Sequence, residues 1–220
     1  MERGSLDSLL AEQVAYYRAV AAEYEAGALD FPGGEELEAA FAEFRPVGDV
    51  LELACGPGTW TRALLPHADR VTAVDAAPEM LEIARARIGD DPRVRFVEAD
   101  LFAWEPDREY DCVFFGFWLS HVPRERFADF WSLVGRCLAP GGRVFFADDG
   151  YRTPEELVEG EDSIAIQRRL EDGRAFTAVK VPYTPGELEQ SLAGLGWQIE
   201  VRQTSGPFFW GSGGRAEDRA

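Results

Sequence analysis

Three carboxylates stand at or near the ends of three successive apolar runs in the first half of the chain. Glu52 lies in VLELA, Asp75 closes RVTAVD and Asp100 closes VRFVEAD, and the first run leads into a loop that contains Gly56 and Gly58. Glycines in such a loop let a ligand approach the backbone closely. Carboxylates beside the loop would repel a phosphate and attract a cation. The pattern therefore predicts a site for a positively charged ligand that contacts the backbone.

A nicotinamide dinucleotide is the main rival, because a pyrophosphate can rest on a glycine loop at a helix N-terminus. Two residues disfavour it. Thr61 occupies the third position of the G-x-G-x-x-G pattern, and Pro57 lacks the amide that a phosphate would use. The sequence therefore favours a cationic cofactor over NAD.

Short apolar runs alternate with amphipathic segments from residue 47 onward, which is typical of a parallel sheet covered by helices. Strands are predicted over VLELA, RVTAVD, VRFVEAD, YDCVFFGF and GRVFFADD, with helices near 59–66, 79–88 and 124–138. Helical periodicity also covers 5–26, where Gly27 can end the helix, and 34–44. Near the C-terminus, TPGELEQSLAGLG predicts a helix, and WQIEVRQT and PFFWGSG predict an antiparallel hairpin at the sheet edge. The fold class is α/β, with a doubly wound, Rossmann-like and mostly parallel seven-stranded sheet.

The segment ELACGPG resembles motif I of the class I S-adenosylmethionine-dependent methyltransferases, E/D-x-G-x-G-x-G, with Ala54 in place of the first glycine. S-adenosylmethionine carries an ammonium and a sulfonium, so it is a cationic ligand of the kind that the carboxylates predict. Asp75 lies 17 residues after Gly58, where the resemblance implies an acceptor for both ribose hydroxyls. The segments YDCVFFGFWLSHV and LAPGGRVFFADD match the family's fourth and fifth strands. The resemblance is close over residues 47–149.

The resemblance implies a set of cofactor contacts drawn from the loop, three strand ends and the first helix. They are Tyr16, Tyr24, Glu52, Ala54, Gly56, Gly58, Trp60, Asp75, Ala76, Met80, Asp100, Leu101 and Phe115. In this family the N-terminal helix often lies over the cofactor as a lid, where its tyrosines would close against the methionine part. A substrate-side surface is expected from Tyr17, Phe117, Trp118, His121, Asp148, Asp149 and Phe209. The alternative for many of the aromatic residues is a place in the core.

The domain organisation follows from these elements. Residues 1–212 form a single domain, in which 1–45 are the N-terminal helical lid and 47–149 the cofactor-binding core. Residues 150–182 are a substrate-side insertion with one further strand, RAFTAVKV, and 183–212 are the C-terminal helix and hairpin. Residues 213–220 are predicted to be a disordered tail.

Methyl transfer from a sulfonium is an in-line displacement, which needs a base only when the acceptor arrives protonated. His121, after the fourth strand, is the candidate general base, and the alternative is a structural hydrogen-bonding residue. Asp148 and Asp149 are either substrate contacts or solvated turn acids. Magnesium-dependent catechol methyltransferases end the fourth strand with an aspartate, whereas this strand ends in FFGF, so no metal is predicted.

Charge and composition narrow the class of partner. The chain has 40 acidic and 22 basic residues, a net charge of -18, so it should repel nucleic acid and anionic lipid surfaces. A small-molecule methyl acceptor is the expected partner. Three scattered cysteines and the lack of an apolar signal or a membrane span predict a reducing, cytoplasmic location. The oligomeric state is left open, and a homodimer is one of the states that the sequence allows.

The predicted function is S-adenosylmethionine-dependent transfer of a methyl group to oxygen or nitrogen of a small metabolite. Nucleic-acid methylation is disfavoured, because the fourth strand lacks a D/N-P-P-Y sequence. The alternative is a cofactor-binding regulatory or scaffold protein of the same fold without turnover.

Overall fold

The computed structural model describes residues 3–24, 31–158, 160 and 163–216. Six helices and nine strands lie in the described part of the chain. They are α1 (Arg3–Val20), α2 (Gly34–Phe44), β1 (Asp49–Leu53), α3 (Thr59–Leu64), β2 (Arg70–Asp75), α4 (Pro78–Ile88), β3 (Val94–Glu98), β4 (Tyr110–Gly116), α5 (Phe127–Cys137), β5 (Leu138–Asp149), β6 (Ala165–Arg169), β7 (Ala175–Val179), α6 (Pro185–Gly194), β8 (Trp197–Gln203) and β9 (Phe208–Arg215). Single 3₁₀ turns cover Ala21–Glu23, Leu119–His121 and Arg124–Arg126.

Seven strands form one sheet in the order β3-β2-β1-β4-β5-β9-β8. The first five strands of this order run parallel, and β9 is antiparallel to both β5 and β8. The strand order reverses between β1 and β4, and open α/β sheets bind their ligands at the carboxyl ends of the strands at such a switch point. The predicted doubly wound fold with its C-terminal antiparallel hairpin is confirmed.

The two faces of the sheet bury separate aromatic layers, because successive side chains of a strand point to opposite faces. In β4, Phe114 packs with Phe41 and Phe145 on one face. Phe115 packs with Phe130 and Phe146 on the other face, and it is completely buried. Phe115 is therefore a core residue of the α5 face, which corrects the expectation that it contacts the cofactor.

Helix α1 lies against a small two-stranded sheet formed by β6 and β7. Glu12 Oε1 accepts a hydrogen bond from the Thr177 amide at 2.7 Å, and Gln13 Oε1 accepts one from the Val179 amide at 2.9 Å. The Tyr16 ring packs on Phe176 with centroids 6.0 Å apart. The N-terminal helix and the 150–182 region thus pack together. Strand β6 was not predicted, and β7 matches the predicted strand RAFTAVKV.

Two predicted boundaries change in the structure. The helix predicted over 5–26 ends at Val20 and continues as a single turn through Glu23, and Gly27 lies outside the described residues. Strand β9 continues to Arg215, so residues 213–215 belong to the sheet and not to a tail. Residues 217–220 of that predicted tail lie outside the described residues. Within the described part of the chain, no helix combines the length and the apolarity that crossing a membrane requires.

Candidate functional site

A cavity of about 610 Å³ lies beneath α1 at the carboxyl ends of the parallel strands. Its wall contains most of the cofactor contacts that the sequence implied, namely Tyr16, Tyr24, Ala54, Gly56, Trp60, Asp75, Ala76, Met80, Asp100 and Leu101. On the substrate side it contains Tyr17, Phe117, Trp118, His121 and Asp149. The structure therefore brings together residues from four strand ends, the loop after β1 and the N-terminal helix.

The loop after β1 presents its backbone to this cavity. Ala54 and Gly56 have positive φ angles of 53° and 52°, and nothing lies within 4 Å of the position that a Gly56 side chain would take. Gly58, with φ of 77°, has a different role. A side chain there would lie 2.9 Å from Ala84 Cβ of α4, so this glycine permits close helix packing and is not part of the cavity wall. Ala54 holds the left-handed conformation of the first motif glycine, at a cost that glycine would avoid.

Asp75 is fixed by the loop that it faces. Its Oδ2 accepts from the Gly56 amide and its Oδ1 from the Ala77 amide, both at 2.8 Å. Burial raises the pKa of Asp75, and these backbone bonds offset part of that rise. A carboxylate oxygen can accept two hydrogen bonds, so both oxygens of Asp75 can still bind hydroxyls of a ligand.

Asp100 begins the turn after β3. Its Oδ1 accepts from the Phe102 amide at 2.9 Å, which orients the carboxylate beside buried Leu101. Trp118 also lines the cavity, and its Nε1 is a buried donor with no hydrogen-bond partner among the described residues. Its ring lies 6.0 Å from Phe102. This end of the cavity therefore combines flat apolar surfaces with a carboxylate acceptor and an indole donor.

Glu52 does not reach the cavity. Its side chain is almost completely buried, and Oε2 accepts a hydrogen bond of 2.5 Å from the Thr61 hydroxyl of α3. Burial raises the pKa of this carboxyl to about 8, although the bond from Thr61 opposes the rise and the charge of Asp75 adds to it. The expectation of a direct cofactor contact is corrected: Glu52 lies under the loop and joins β1 to α3.

His121 connects the loop after β4 to the helix above the cavity. Its Nδ1 lies 2.6 Å from the Val179 carbonyl, which can only accept, so Nδ1 carries the proton. Nε2 then accepts from the Tyr17 hydroxyl at 2.9 Å. Burial, followed by the charge of Lys180, lowers the pKa of His121 to about 3. His121 is a neutral side chain whose second nitrogen is already bonded to Tyr17.

Asp148 and Phe209 lie behind the cavity wall. Asp148 is completely buried, and it accepts from the Ser120 amide at 2.7 Å, the Ser120 hydroxyl at 2.8 Å and the Asp149 amide at 2.8 Å. It therefore holds the loop after β4 in place. Phe209 is paired with Asp148 across β5 and β9 and is buried in the core. Both were expected to contact substrate, and neither lines the cavity, whereas the neighbouring Asp149 does.

Three residues of this region were missed. Gln13 occupies the buried stripe of α1 between Leu10 and Tyr17, and its Nε2 donates to the His121 carbonyl at 3.3 Å. A polar residue on an apolar helix stripe was a usable signal. Lys180, the only lysine, sits in an apolar strand pattern, which was a second signal. The sequence around Arg168 contained no such signal, because the strand that carries this residue was not predicted.

Known proteins match this chain in sequence and in structure. A model described as a methyltransferase domain matches residues 50–142. A solved structure described as a DhpI–SAH complex is 40% identical, with a TM-score of 0.82, and the match covers 95% of this chain and 98% of that one. A DhpI–SAM–HEP complex is 42% identical, with a TM-score of 0.81, and the match covers 93% and 96%. The chain belongs to the class I S-adenosylmethionine-dependent methyltransferases. Both the resemblance found in the sequence and S-adenosylmethionine as the cofactor of this methyltransferase are thereby confirmed.

Curated relatives of this methyltransferase match over shorter stretches. Trans-aconitate 2-methyltransferase of Streptomyces avermitilis is 30% identical over 71% of this chain and 60% of that protein. Malonyl-[acyl-carrier protein] O-methyltransferase 1 of Ilyobacter polytropus is 29% identical over 50% of this chain and 41% of its own length. The chain thus spans between about two fifths and three fifths of the length of these two curated relatives.

Proposed function

We propose that this methyltransferase transfers the methyl group of S-adenosylmethionine to an oxygen or a nitrogen of a small molecule by in-line displacement. The observation that carries the proposal is the single cavity shared by the glycine loop, Asp75, Asp100 and the tyrosines of α1. Because α1 and Trp118 enclose the space above the loop, cofactor and acceptor would meet where water is excluded.

The residues present fit the cofactor. Asp75 would accept from the ribose hydroxyls, and Asp100 from the adenine amino group, with Leu101 and Met80 packed beside the ring. The open backbone at Gly56 would allow the methionine part to pass close to β1. When bound, S-adenosylmethionine supplies an electrophilic methyl group on a sulfonium. The chain supplies alignment, a dry site and aromatic faces that attract a cation.

His121 and Tyr17 would position the acceptor side and not act as a free base. The Nε2 lone pair of His121 is taken by the Tyr17 hydroxyl, and burial raises the pKa of Tyr17 well above its usual 10. A proton taken from an acceptor would therefore have to pass through the Tyr17 hydroxyl to His121. An acceptor that arrives already deprotonated needs no such step.

Calorimetric titration with S-adenosylhomocysteine, followed by transfer of labelled methyl groups to small acceptors, tests the proposal. Asp75→Ala should weaken binding at least tenfold, since it removes the acceptor of two hydroxyl bonds. Asp69→Ala is the matched control, because Asp69 directly precedes the opposite end of the same strand. Binding without transfer to any acceptor would favour a regulatory role. Equal affinity in wild type and Asp75→Ala would refute the site.

A further inference from the structure

The acceptor side of the cavity carries positive charge in a strongly acidic protein. Basic residues are outnumbered by 40 to 22 in the whole chain, and Lys180 is its only lysine. Nevertheless both Lys180 and Arg168 line the cavity. They come from the β6–β7 region, on the side of Tyr17 and His121, whereas Asp75 and Asp100 lie at the strand ends that face the cofactor. A third cation, Arg126, also lines the cavity, but it is not part of this pair, since its guanidinium stacks on the ring of Phe102.

Lys180 is held rigidly. Its amide donates to the Ile164 carbonyl at 2.6 Å, and its side chain is 4% exposed. The ammonium lies 3.0 Å from Asp149 Oδ2 and 3.5 Å from Asp148 Oδ1. Asp148 already accepts three other hydrogen bonds, so its contact with the ammonium is the weaker of the two. An ammonium has three N–H donors, and this arrangement leaves donor capacity toward the cavity.

Arg168 has spare donors as well. Its Nη1 pairs with Glu156, whose side chain is not part of the cavity wall. A guanidinium has five N–H donors in a planar fork, which suits two oxygens of one acid group. The charge of Arg168 acts on two tyrosines of the acceptor side. Burial raises the pKa of Tyr16 and of Tyr17, and the positive charge of Arg168 opposes both rises.

Both cations face the cavity, whereas most of their acidic partners lie behind its wall. Lys180 is paired with Asp148 and Asp149, and Arg168 with Glu156, and of these three carboxylates only Asp149 lines the cavity. His121 is neutral. At the His121 ring, the charge of Lys180 lowers the pKa more strongly than Asp149 raises it. An anionic group in the cavity could accept from the remaining N–H donors of Lys180 and Arg168, whereas an ammonium would be repelled by both cations.

We propose that Arg168 and Lys180 bind the oxyanion of a small acid, and that an acid oxygen receives the methyl group. This inference rests on the proposed function. In the transfer, an oxygen lone pair forms the O–CH₃ bond while the S–CH₃ pair returns to sulfur. The sulfonium becomes a neutral thioether and the acceptor loses one negative charge. No proton is released, so no base is consumed, in agreement with an Nε2 of His121 that is already bonded.

Carboxylates and phosphorus oxyanions share this chemistry, and a panel of acceptors separates them. Trans-aconitate and malonate represent carboxylates, methylphosphonate and inorganic phosphate represent phosphorus oxyanions, and catechol and ethanolamine represent non-acids. Each is titrated into protein saturated with S-adenosylhomocysteine and is also tested as an acceptor of labelled methyl groups. We expect saturable binding of at least one acid and of neither non-acid.

Arg168→Gln should weaken binding of that acid, or raise its KM, at least tenfold and leave affinity for S-adenosylhomocysteine within about twofold. Arg169→Gln is the matched control, since Arg169 is the exposed neighbour in the same strand, and it should change neither constant. Lys180→Arg keeps the charge beside Asp148 and should retain acid binding, whereas Lys180→Gln should lose it.

Three results would overturn the inference. The first is a panel in which no acid binds to the saturated protein. The second is methyl transfer to a non-acid that Arg168→Gln leaves unchanged. The third is an equal loss of S-adenosylhomocysteine and acid affinity in Arg168→Gln, which would assign this arginine to the carboxylate of the cofactor. Failure of wild type to bind S-adenosylhomocysteine would instead refute the proposed function itself.

Discussion

Replacing Glu52 by glutamine should stabilise the folded protein, and the gain should grow with pH. Glu52 is buried against Thr61, and its pKa rises from the ordinary 4.5 to about 8 on folding. Below pH 4.5 the carboxyl is protonated in both folded and unfolded chains. Between 4.5 and about 8 only the folded chain holds the proton, so folding takes one up and stability falls as pH rises. Above about 8 both forms are ionised and the penalty is constant.

The size of this stabilisation follows from the difference between the pKa values of Glu52 in the unfolded and folded chains. One pKa unit corresponds to about 1.36 kcal/mol, so at pH 7 the proton uptake costs about 3 kcal/mol. Glutamine has nearly the same shape, its carbonyl can accept from Thr61, and it has no proton to take up. Its amide must still find an acceptor in a buried place, which costs about 1 to 2 kcal/mol at every pH. The net gain expected for Glu52→Gln is therefore about 1 to 2 kcal/mol at pH 7.

Urea unfolding of the cofactor-free protein, followed by tryptophan fluorescence, measures this gain. Between pH 5.5 and 7.5 the stability difference between Glu52→Gln and wild type should increase by about 2 to 3 kcal/mol. Glu38→Gln, on the exposed face of α2, is the matched control and should differ from wild type by only a few tenths of a kcal/mol. A difference for Glu52→Gln that stays constant over this range would refute the reasoning, because it would mean that the buried carboxyl ionises as it does in water.

Three further outcomes are expected from the site. Ala54→Gly should raise stability by about 1 kcal/mol, because it relieves a positive φ of 53°, and a lower melting temperature would contradict this. Tyr17→Phe leaves the buried Nε2 of His121 without its donor and should cost about 1 to 3 kcal/mol in urea unfolding, with faster amide exchange in α1. Asp148→Asn should destabilise by about 3 kcal/mol, since one of the two buried oxygens that accept from Ser120 and Asp149 becomes an N–H donor, and unchanged urea unfolding would exclude that role.

The sheet and the cofactor side were predictable because their signals are local. Each parallel strand is a short apolar run, and Asp75 and Asp100 follow their runs directly, so strand ends and site residues were located together. Position along the strand was not enough to orient a side chain. Glu52 and Phe115 both lie near strand ends, but each points into one of the two layers that cover the sheet.

The acceptor side was harder to predict, because its residues meet only through tertiary contacts. Strand β6, with the sequence AIQRR, carries no strong strand pattern and is stabilised by pairing with β7, which in turn packs against α1. Arg168 therefore could not be placed from its neighbours in sequence. Gln13 and Lys180 could have been noticed as polar residues in apolar patterns, although the partners that explain them lie more than 30 residues away in the chain.

The Gln13 side chain has a consequence for how such enzymes can be rebuilt. One side-chain amide joins α1 to the His121 carbonyl and to the Val179 amide, which belong to two other stretches of chain. Replacing α1 by a helix without this glutamine would break two buried hydrogen bonds at once, and moving either of the other two stretches would break one. Chimaeric enzymes designed for new acceptors should therefore exchange all three stretches together and keep the glycine loop unchanged.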